Sequence, residues 1–182
     1  MPAFERLSRR VLVENKWHRY CLDRYTQTDG SVGSYFYIDM YGACGIIPLY
    51  ADGTTALVRV HRYLLGRDLW EFPIGGVDAD ETPQQAAAKE LRQEAGLLAD
   101  EWHELGKFAP YKGVSNETTW FFLARGLTTT PRELEPSEGI TVHRVPLEEA
   151  RARICEQELG DGQSMVGLML LDRFLAAERG SR

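Results

Sequence analysis

The sequence is short of cysteine, of long apolar runs and of positive charge. Only three of its 182 residues are cysteines. Cys21, Cys44 and Cys155 form no Cys-X-X-Cys pair, so we expect reduced thiols rather than disulfides or a zinc site. No run approaches the ~20 apolar residues that span a bilayer, and residues 1–10 lack the apolar core of a secretory signal. These absences predict a cytoplasmic protein with no membrane partner.

The deficit of positive charge narrows the possible ligands. The 21 Lys and Arg residues face 27 Asp and Glu residues, which gives a formal net charge of −6. This balance argues against a protein that coats nucleic acid phosphates, so no nucleic acid partner is expected. A small phosphate-bearing ligand is still compatible, because a bound cation can reverse the local field. The length fits one domain with a real core.

What the sequence does contain is a series of β-rich runs followed by helical segments. Asp29-Gly30 predicts a hairpin turn within residues 25–30, because it supplies the positive φ that tight hairpins require. A second hairpin is predicted from Cys44–Tyr50 and Thr55–Val60. Further expectations are strands at 34–39, 105–108, 119–124 and 140–145, an exposed loop at 128–139, and helices at 147–156 and 165–178, the last as a core helix. This order predicts an α+β fold.

A glycine-containing acidic loop runs into the strongest predicted helix, over residues 82–95. Thr82 is a good N-cap, Pro83 suits the first helical position, and Gln85 stands where a capping box requires it. Gly96 follows the last helical residue, as is typical of helix ends.

Two glutamates of this helix are candidate metal ligands. Glu90 and Glu94 are four residues apart, so they lie on one helical face, where like charges repel. Taken alone, such a pair is more often a solvated face. A divalent cation would turn the repulsion into binding, and hard oxygen ligands select Mg²⁺ or Mn²⁺.

The whole stretch resembles the nudix box, in which glycine, glutamate, Arg-Glu, Glu-Glu and a second glycine follow at fixed spacing. Every spacing is kept, and the fixed positions are Gly75, Glu81, Lys89, Glu90, Gln93, Glu94 and Gly96. The resemblance implies a nudix α/β/α sandwich with a mixed sheet and an N-terminal β-hairpin extension. It also implies residues 1–41 as N-terminal strands and residues 42–182 as the catalytic domain.

The resemblance implies roles for the box residues. Lys89, which replaces the usual arginine, would pair with Glu81 and brace the loop on the helix, without the bidentate fork of arginine. The main-chain carbonyl of Ile74 would join Glu90 and Glu94 as a metal ligand. Gln93 replaces the first glutamate of the Glu-Glu pair and offers only a neutral oxygen, which leaves the number of metal ions open.

Outside the box, the chain is similar to the ADP-ribose pyrophosphatase branch. The similar segments are residues 57–63, 69–76, 110–117 and 161–164. The branch implies a homodimer with exchanged N-terminal strands and an adenine base held between aromatic side chains. Trp17 and Tyr35 are the candidates for those aromatics, although Trp17 packing against the dimer or core is equally compatible. Phe36 and Tyr37 are alternatives to Tyr35 as the second stacking aromatic. Strand alternation places Tyr35 and Tyr37 on one face.

Polar contacts to the substrate are assigned to Arg62 and Glu71. Arg59 and Arg62 face opposite sides of a strand, and we favour Arg62 for the diphosphate, with an ordinary surface arginine as the alternative. Glu71 is a candidate ribose or supporting contact. Glu138 is the first choice for the catalytic base. Glu135 and Glu117 are the alternatives.

The resemblance implies Mg²⁺-dependent hydrolysis of ADP-ribose to AMP and ribose 5-phosphate. An alternative is hydrolysis of another nucleoside diphosphate derivative, such as GDP-mannose, another nucleotide sugar or an oxidised nucleoside diphosphate. A third interpretation is a nudix-fold sensor that binds ADP-ribose without cleaving it, which only Gln93 favours. Stacking aromatics tolerate several bases, so the sequence separates these substrates poorly.

Overall fold

The computed structural model describes residues 2–133 and 139–180. The strands are β1 (Arg6–Glu14), β2 (Arg19–Thr26), β3 (Val32–Asp39), β4 (Ala43–Pro48), β5 (Thr54–Arg62), β6 (Arg67–Glu71), β7 (Ile74–Gly76), β8 (Leu97–Phe108), β9 (Thr119–Thr129) and β10 (Ile140–Pro146). The α-helices are α1 (Pro83–Glu90), α2 (Leu147–Glu156) and α3 (Gly162–Gly180). Contacts divide the chain into two compact units, formed by the described parts of Met1–Gly42 with Ala109–Thr118, and of Ala43–Phe108 with Thr119–Arg182.

The first unit is built on an antiparallel sheet in the order β1-β2-β3. The predicted hairpin joins β2 to β3: the Gln27 N–H donates to the Ser31 carbonyl at 2.8 Å, and Gly30 has a φ of 83°. The N-terminal extension therefore has three strands rather than one hairpin. The unit also takes in residues 109–118, which the predicted division assigned to the catalytic domain. That division stays a prediction.

The second unit contains two sheets. One has the order β7-β4-β9-β8, with β4 and β9 parallel and the other pairs antiparallel. The other is antiparallel, in the order β10-β5-β6. The predictions of an α+β class and of a mixed sheet are confirmed.

The predicted pairing of the second hairpin is wrong. The turn forms as expected, with the Tyr50 N–H bonded to the Thr54 carbonyl at 2.9 Å. The two strands beyond it, β4 and β5, enter different sheets. β9 pairs with β4 along its whole length on one side, and β7 pairs with Ala43–Gly45 on the other, so β5 pairs with this region only through the antiparallel bridge Leu49–Thr55. The six residues of β4 are all buried, which fits an inner strand.

Two strands are longer than the local sequence indicates. Strand β8 begins at Leu97 rather than Leu105, and β9 continues to Thr129 rather than Ala124. Pairing between them runs from Leu97 opposite Thr129 to Phe108 opposite Thr119. This long-range pairing imposes extended backbone on polar residues, so the predicted loop at 128–139 starts later than expected.

The C-terminal helix α3 packs into the core, as predicted. A Cβ on Gly167 of α3 or on Gly45 of β4 would overlap the Phe121 ring, so these glycines let helix, sheet and ring approach closely. Leu168 and Leu171 of α3 are buried in the same cluster. Among the helices that the structure describes, none combines the length and the apolar character needed to cross a membrane.

Candidate active site

The loop and helix of the box form as the sequence predicts. The Thr82 N–H donates to Gln85 Oε1 at 2.9 Å, and the Gln85 N–H donates to Thr82 Oγ1 at 3.3 Å. The helix then continues beyond α1 through a π-helical turn at Leu91–Ala95, and Gly96 ends it in the left-handed region with a φ of 65°. Single π-turns are frequently found at functional sites.

The carboxylates of Glu90 and Glu94 reach two adjacent residues of the preceding strand. A Cβ on Gly75 would overlap the Glu90 carboxyl, so the glycine is required for this approach. Glu94 is only 6% exposed, and its Oε2 accepts a hydrogen bond from the Ile74 N–H at 3.1 Å. The helix therefore delivers two acidic side chains to the first residues of β7.

This donor set suits a hard divalent cation. Two carboxylates and the nearby Ile74 carbonyl are oxygen donors, and Mg²⁺ commonly uses one or two carboxylates together with substrate phosphates. Among residues 2–133 and 139–180, no group of three or more His, Cys, Asp or Glu side chains is placed to hold a metal ion. The two carboxylates here would be joined by a main-chain carbonyl rather than by a third such side chain. The assignment of Glu90, Glu94 and Ile74 as ligands stays a prediction.

Lys89 ties the acidic loop to the helix. Its Nζ lies 2.8 Å from Glu81 Oε2 and 2.9 Å from Asp78 Oδ2. Partial burial opposes the charged ammonium, but the hydrogen bonds to the two carboxylates prevail and raise the pKa of Lys89 above its usual value. The expected pair with Glu81 is present. Asp78 was not singled out from the sequence, although it lies three residues before Glu81 in the acidic loop.

Arg132 holds the other end of the box helix. Its Nε donates to the Glu94 carbonyl at 2.8 Å and its Nη2 donates to the Ile140 carbonyl at 3.0 Å. A cation at a helix C-terminus is favourable, because the last carbonyls have no partner within the helix. No local pattern in the sequence signals this contact.

Cys44 lies behind the site on β4. Its thiol donates to the Gly75 carbonyl at 3.6 Å. Burial, together with the nearby charge of Glu90, raises the pKa of Cys44 to about 12, so the side chain stays a neutral thiol at neutral pH. All three cysteines are free, as predicted.

Arg62 and Glu71 form a bidentate ion pair in the second unit. Arg62 Nε donates to Glu71 Oε1 at 2.7 Å, and Nη2 contacts the other carboxylate oxygen. Burial raises the pKa of Glu71, and Arg62 only partly opposes that shift. The pair with Glu71, aided by the charges of Asp161 and Glu94, raises the pKa of Arg62. Asp161 was not assigned a role from the sequence.

The second predicted arginine faces the other side of β5. Arg59 Nη2 lies 3.2 Å from Asp68 Oδ2, and the guanidinium lies 5.8 Å from the centre of the Trp70 ring. The prediction of opposite faces is therefore confirmed.

The aromatic candidates of the first unit line two separate cavities. Trp17 is 66% exposed, outside the core, and borders a cavity of ≈ 420 Å³. Tyr35 borders another of ≈ 270 Å³ together with Tyr25 and Tyr37. The Tyr35 and Tyr37 rings are 6.4 Å apart, which confirms that they share one strand face.

The choice of the catalytic base among Glu138, Glu135 and Glu117 stays a prediction. Glu138 and Glu135 lie outside the described residues. Glu117 belongs to the first unit, is buried, and its N–H donates to Ser115 Oγ at 3.3 Å.

The sequence was compared with protein families and with known proteins. The NUDIX domain family matches residues 42–162, so the chain belongs to the NUDIX family. It is 29% identical over 169 residues to an ADP-ribose pyrophosphatase of Mycobacterium tuberculosis, covering 91% of this chain and 82% of the relative. It is 28% identical over 132 residues to an ADP-ribose pyrophosphatase of Bacillus subtilis, covering 71% of each.

The fold is also found among solved structures. The crystal structure of an ADP compounds hydrolase superposes with a TM-score of 0.81 at 16% identity, covering 98% of this chain and 97% of that one. The resemblance read from the sequence is confirmed, as are the nudix fold and the prediction of a hydrolase enzyme.

Proposed function

We propose that this protein hydrolyses the diphosphate bond of ADP-ribose to AMP and ribose 5-phosphate in the presence of Mg²⁺, with Mn²⁺ as a substitute. The observation that carries the proposal is the convergence of the Glu90 and Glu94 carboxylates on the backbone of Ile74 and Gly75. The relatives named ADP-ribose pyrophosphatase support the choice of substrate.

The reaction adds one water across a phosphoric anhydride. The water oxygen ends on one phosphate, and the former bridging oxygen stays on the other. A divalent cation held by Glu90, Glu94 and the Ile74 carbonyl would neutralise phosphate oxygens and lower the pKa of a bound water. These residues would supply the oxygen donors for it, with Gly75 leaving the space that the Glu90 carboxyl occupies and the Ile74 N–H holding Glu94.

Arg62 is proposed to contact the diphosphate. Its fork is engaged by Glu71, which fixes the direction of the guanidinium while its Nη1 group remains available for a phosphate oxygen. Glu71 is then a supporting contact. Glu138 is proposed as the base that takes the proton of the attacking water, with Glu135 and Glu117 as alternatives.

The adenine base is proposed to stack between Trp17 and Tyr35, which border separate cavities of one chain and would meet one base only if they came from the two protomers of a dimer. Exposed aromatic side chains beside cavities suit a planar base, and such stacking is tolerant of base identity. We further propose a homodimer with exchanged N-terminal strands, located in the cytoplasm. The exposed apolar side chains of the first unit, among them Val13 and Phe36, are compatible with burial in a dimer.

A second candidate function follows from one residue. Gln93 lies half-buried in the last turn of the box helix, where the family pattern has a carboxylate. A weaker cation site would favour an ADP-ribose sensor over a hydrolase, although both Glu90 and Glu94 are retained.

A substrate panel tests the proposal. The protein would be incubated with Mg²⁺ and ADP-ribose, GDP-mannose, UDP-glucose or NADH, and the release of AMP, GMP or UMP measured. We expect the highest kcat/KM for ADP-ribose and no turnover in excess chelator. Faster turnover of another panel member would reassign the substrate. Tight binding of ADP-ribose without any turnover would favour the sensor.

A further inference from the structure

In residues 70–74, which lead into the box, every second backbone N–H group is hydrogen-bonded to a side chain. From the last residues of β6 to the start of β7, alternate backbone N–H groups each donate to a side-chain oxygen, first from the residue that follows α2, then from α3 and then from the box helix. The three bonds are Trp70 to Gln157 Oε1 at 2.9 Å, Phe72 to Ser164 Oγ at 2.9 Å, and Ile74 to Glu94 Oε2 at 3.1 Å. The segment is therefore held by side chains rather than by a neighbouring strand on this side.

Ser164 makes the central and most deeply buried of these contacts. It is fully buried in the first turn of α3, and Phe72 is fully buried as well. The Ser164 N–H is itself bonded to Asp161 Oδ2 at 2.7 Å, which sets the start of the helix. Water cannot replace a bond at this depth without a cavity to hold it, so the hydroxyl fixes the position of the Phe72 backbone.

The two groups on either side of Phe72 are those assigned to the reaction. Glu71 precedes it and binds Arg62, and the Ile74 carbonyl lies two residues beyond it. Because consecutive Cα atoms are a fixed ~3.8 Å apart, a displacement of the Phe72 backbone also moves Glu71 before it and, through Pro73, Ile74 after it. Pro73 adds stiffness between them, because its φ is locked.

We propose that Ser164 is a positioning residue, which sets the Ile74 carbonyl and Glu71 through its hydrogen bond to Phe72. This inference rests on the proposed function, since it takes the Ile74 carbonyl as a ligand of the divalent cation. Ser164 touches neither the cation nor the substrate in this scheme. Its effect is on the geometry of the donors.

The test is Mn²⁺ binding to the whole protein without substrate, measured from the electron paramagnetic resonance signal of free Mn²⁺. Ser164→Ala should weaken Mn²⁺ binding about tenfold, as is common when a supporting contact of a metal ligand is lost. It should also lower kcat more than it raises KM. Ser164→Cys, which keeps a weak acceptor of similar size, should give an intermediate value and serves if the alanine variant does not fold.

Thr55→Val is the matched control. Thr55 is also fully buried, and its Oγ1 donates to the Pro48 carbonyl at 2.8 Å, so its loss lowers stability without touching the box segment. It should bind Mn²⁺ like the wild type. Wild-type affinity in Ser164→Ala, or an equal loss in Thr55→Val, would overturn the positioning role alone. A wild-type protein that binds no Mn²⁺ would overturn the proposed function and this inference with it.

Discussion

The candidate site residues of the two units differ in burial and in the number of contacts that hold their side chains. In the second unit, Glu90, Glu94, Lys89 and Arg62 are all engaged by other parts of the same unit, and Glu94 is buried. In the first unit, the aromatic candidate Trp17 is an exposed side chain at the rim of a cavity. The side chains proposed to serve the diphosphate chemistry are thus held in place within one unit.

The aromatic side chains of the first unit that are proposed to bind the base are exposed, by contrast. A preorganised site loses little entropy when it reacts, whereas an open aromatic surface gains its binding energy only when a ligand or another chain covers it. This difference predicts that changes in the second unit act on the chemical step, and that changes in the first act on substrate affinity.

The largest effect is expected at Glu94. Glu94→Gln keeps an oxygen that can accept from the Ile74 N–H but removes the negative charge of a proposed metal ligand. We expect kcat/KM for ADP-ribose to fall at least ~100-fold, in line with the loss of a group that binds charge in the transition state. The fold should be retained, as checked by circular dichroism and thermal unfolding. Glu148→Gln is the control, since the Glu148 side chain is exposed, and it should retain full activity.

Activity within tenfold of wild type in Glu94→Gln would show that this carboxylate does not hold the cation. Of the two carboxylates proposed as cation ligands in the second unit, only Glu90 would then remain.

A smaller effect, of a different kind, is expected at Trp17. Base–aromatic stacking contributes about 1–3 kcal/mol, so Trp17→Ala should raise KM for ADP-ribose about tenfold with little change in kcat. Thermal stability should hardly change, because the side chain is 66% exposed. Steady-state kinetics and a melting curve measure both quantities.

Tyr63→Ala is the matched control for Trp17→Ala. Tyr63 is 87% exposed, lies in the second unit, and has no assigned role, so its loss should leave KM unchanged. A fall in kcat with an unchanged KM in Trp17→Ala would contradict the assignment of substrate affinity to the first unit.

The sequence predicted best where the determinants are local. The box helix follows from the capping pair Thr82 and Gln85 and from Gly96 at its end, all within a few residues of the contacts that they make. The approach of Glu90 and Glu94 to one place was predicted from their spacing of four on one helix, although the π-helical turn over Leu91–Ala95 between them was not. These features depend on short-range geometry, which the order of residues specifies directly.

What could not be predicted depends on contacts between distant residues. The pairing of β4 with β5 was wrong because the sequence gives no sign that β4 pairs instead with β9 and, at Ala43–Gly45, with β7. Arg132 reaches Glu94 across 38 positions of sequence, and Ser164 reaches Phe72 across 92. Only the assembled sheets bring such groups together. The charge of Asp161 acts on Arg62 in the same way, from 99 positions away in the sequence.

The smallest effect is expected at Gln93, the position where the box has a glutamine in place of the carboxylate of the family pattern. Gln93→Glu adds a negative charge to the last turn of the box helix, one residue before Glu94. If the glutamine weakens a cation site, the charge should improve Mn²⁺ affinity and raise activity at limiting Mg²⁺ by about two- to threefold, a gain of ~0.5 kcal/mol that fits a half-buried carboxylate near a divalent ion. Titration of activity against Mg²⁺ measures the shift.

Gln84→Glu is the control, because Gln84 is exposed in the first turn of the same helix, and it should leave the titration unchanged. An identical curve for Gln93→Glu and the wild type would place Gln93 outside the working site, and the preorganised donors of the second unit would then be Glu90, Glu94 and Ile74 alone.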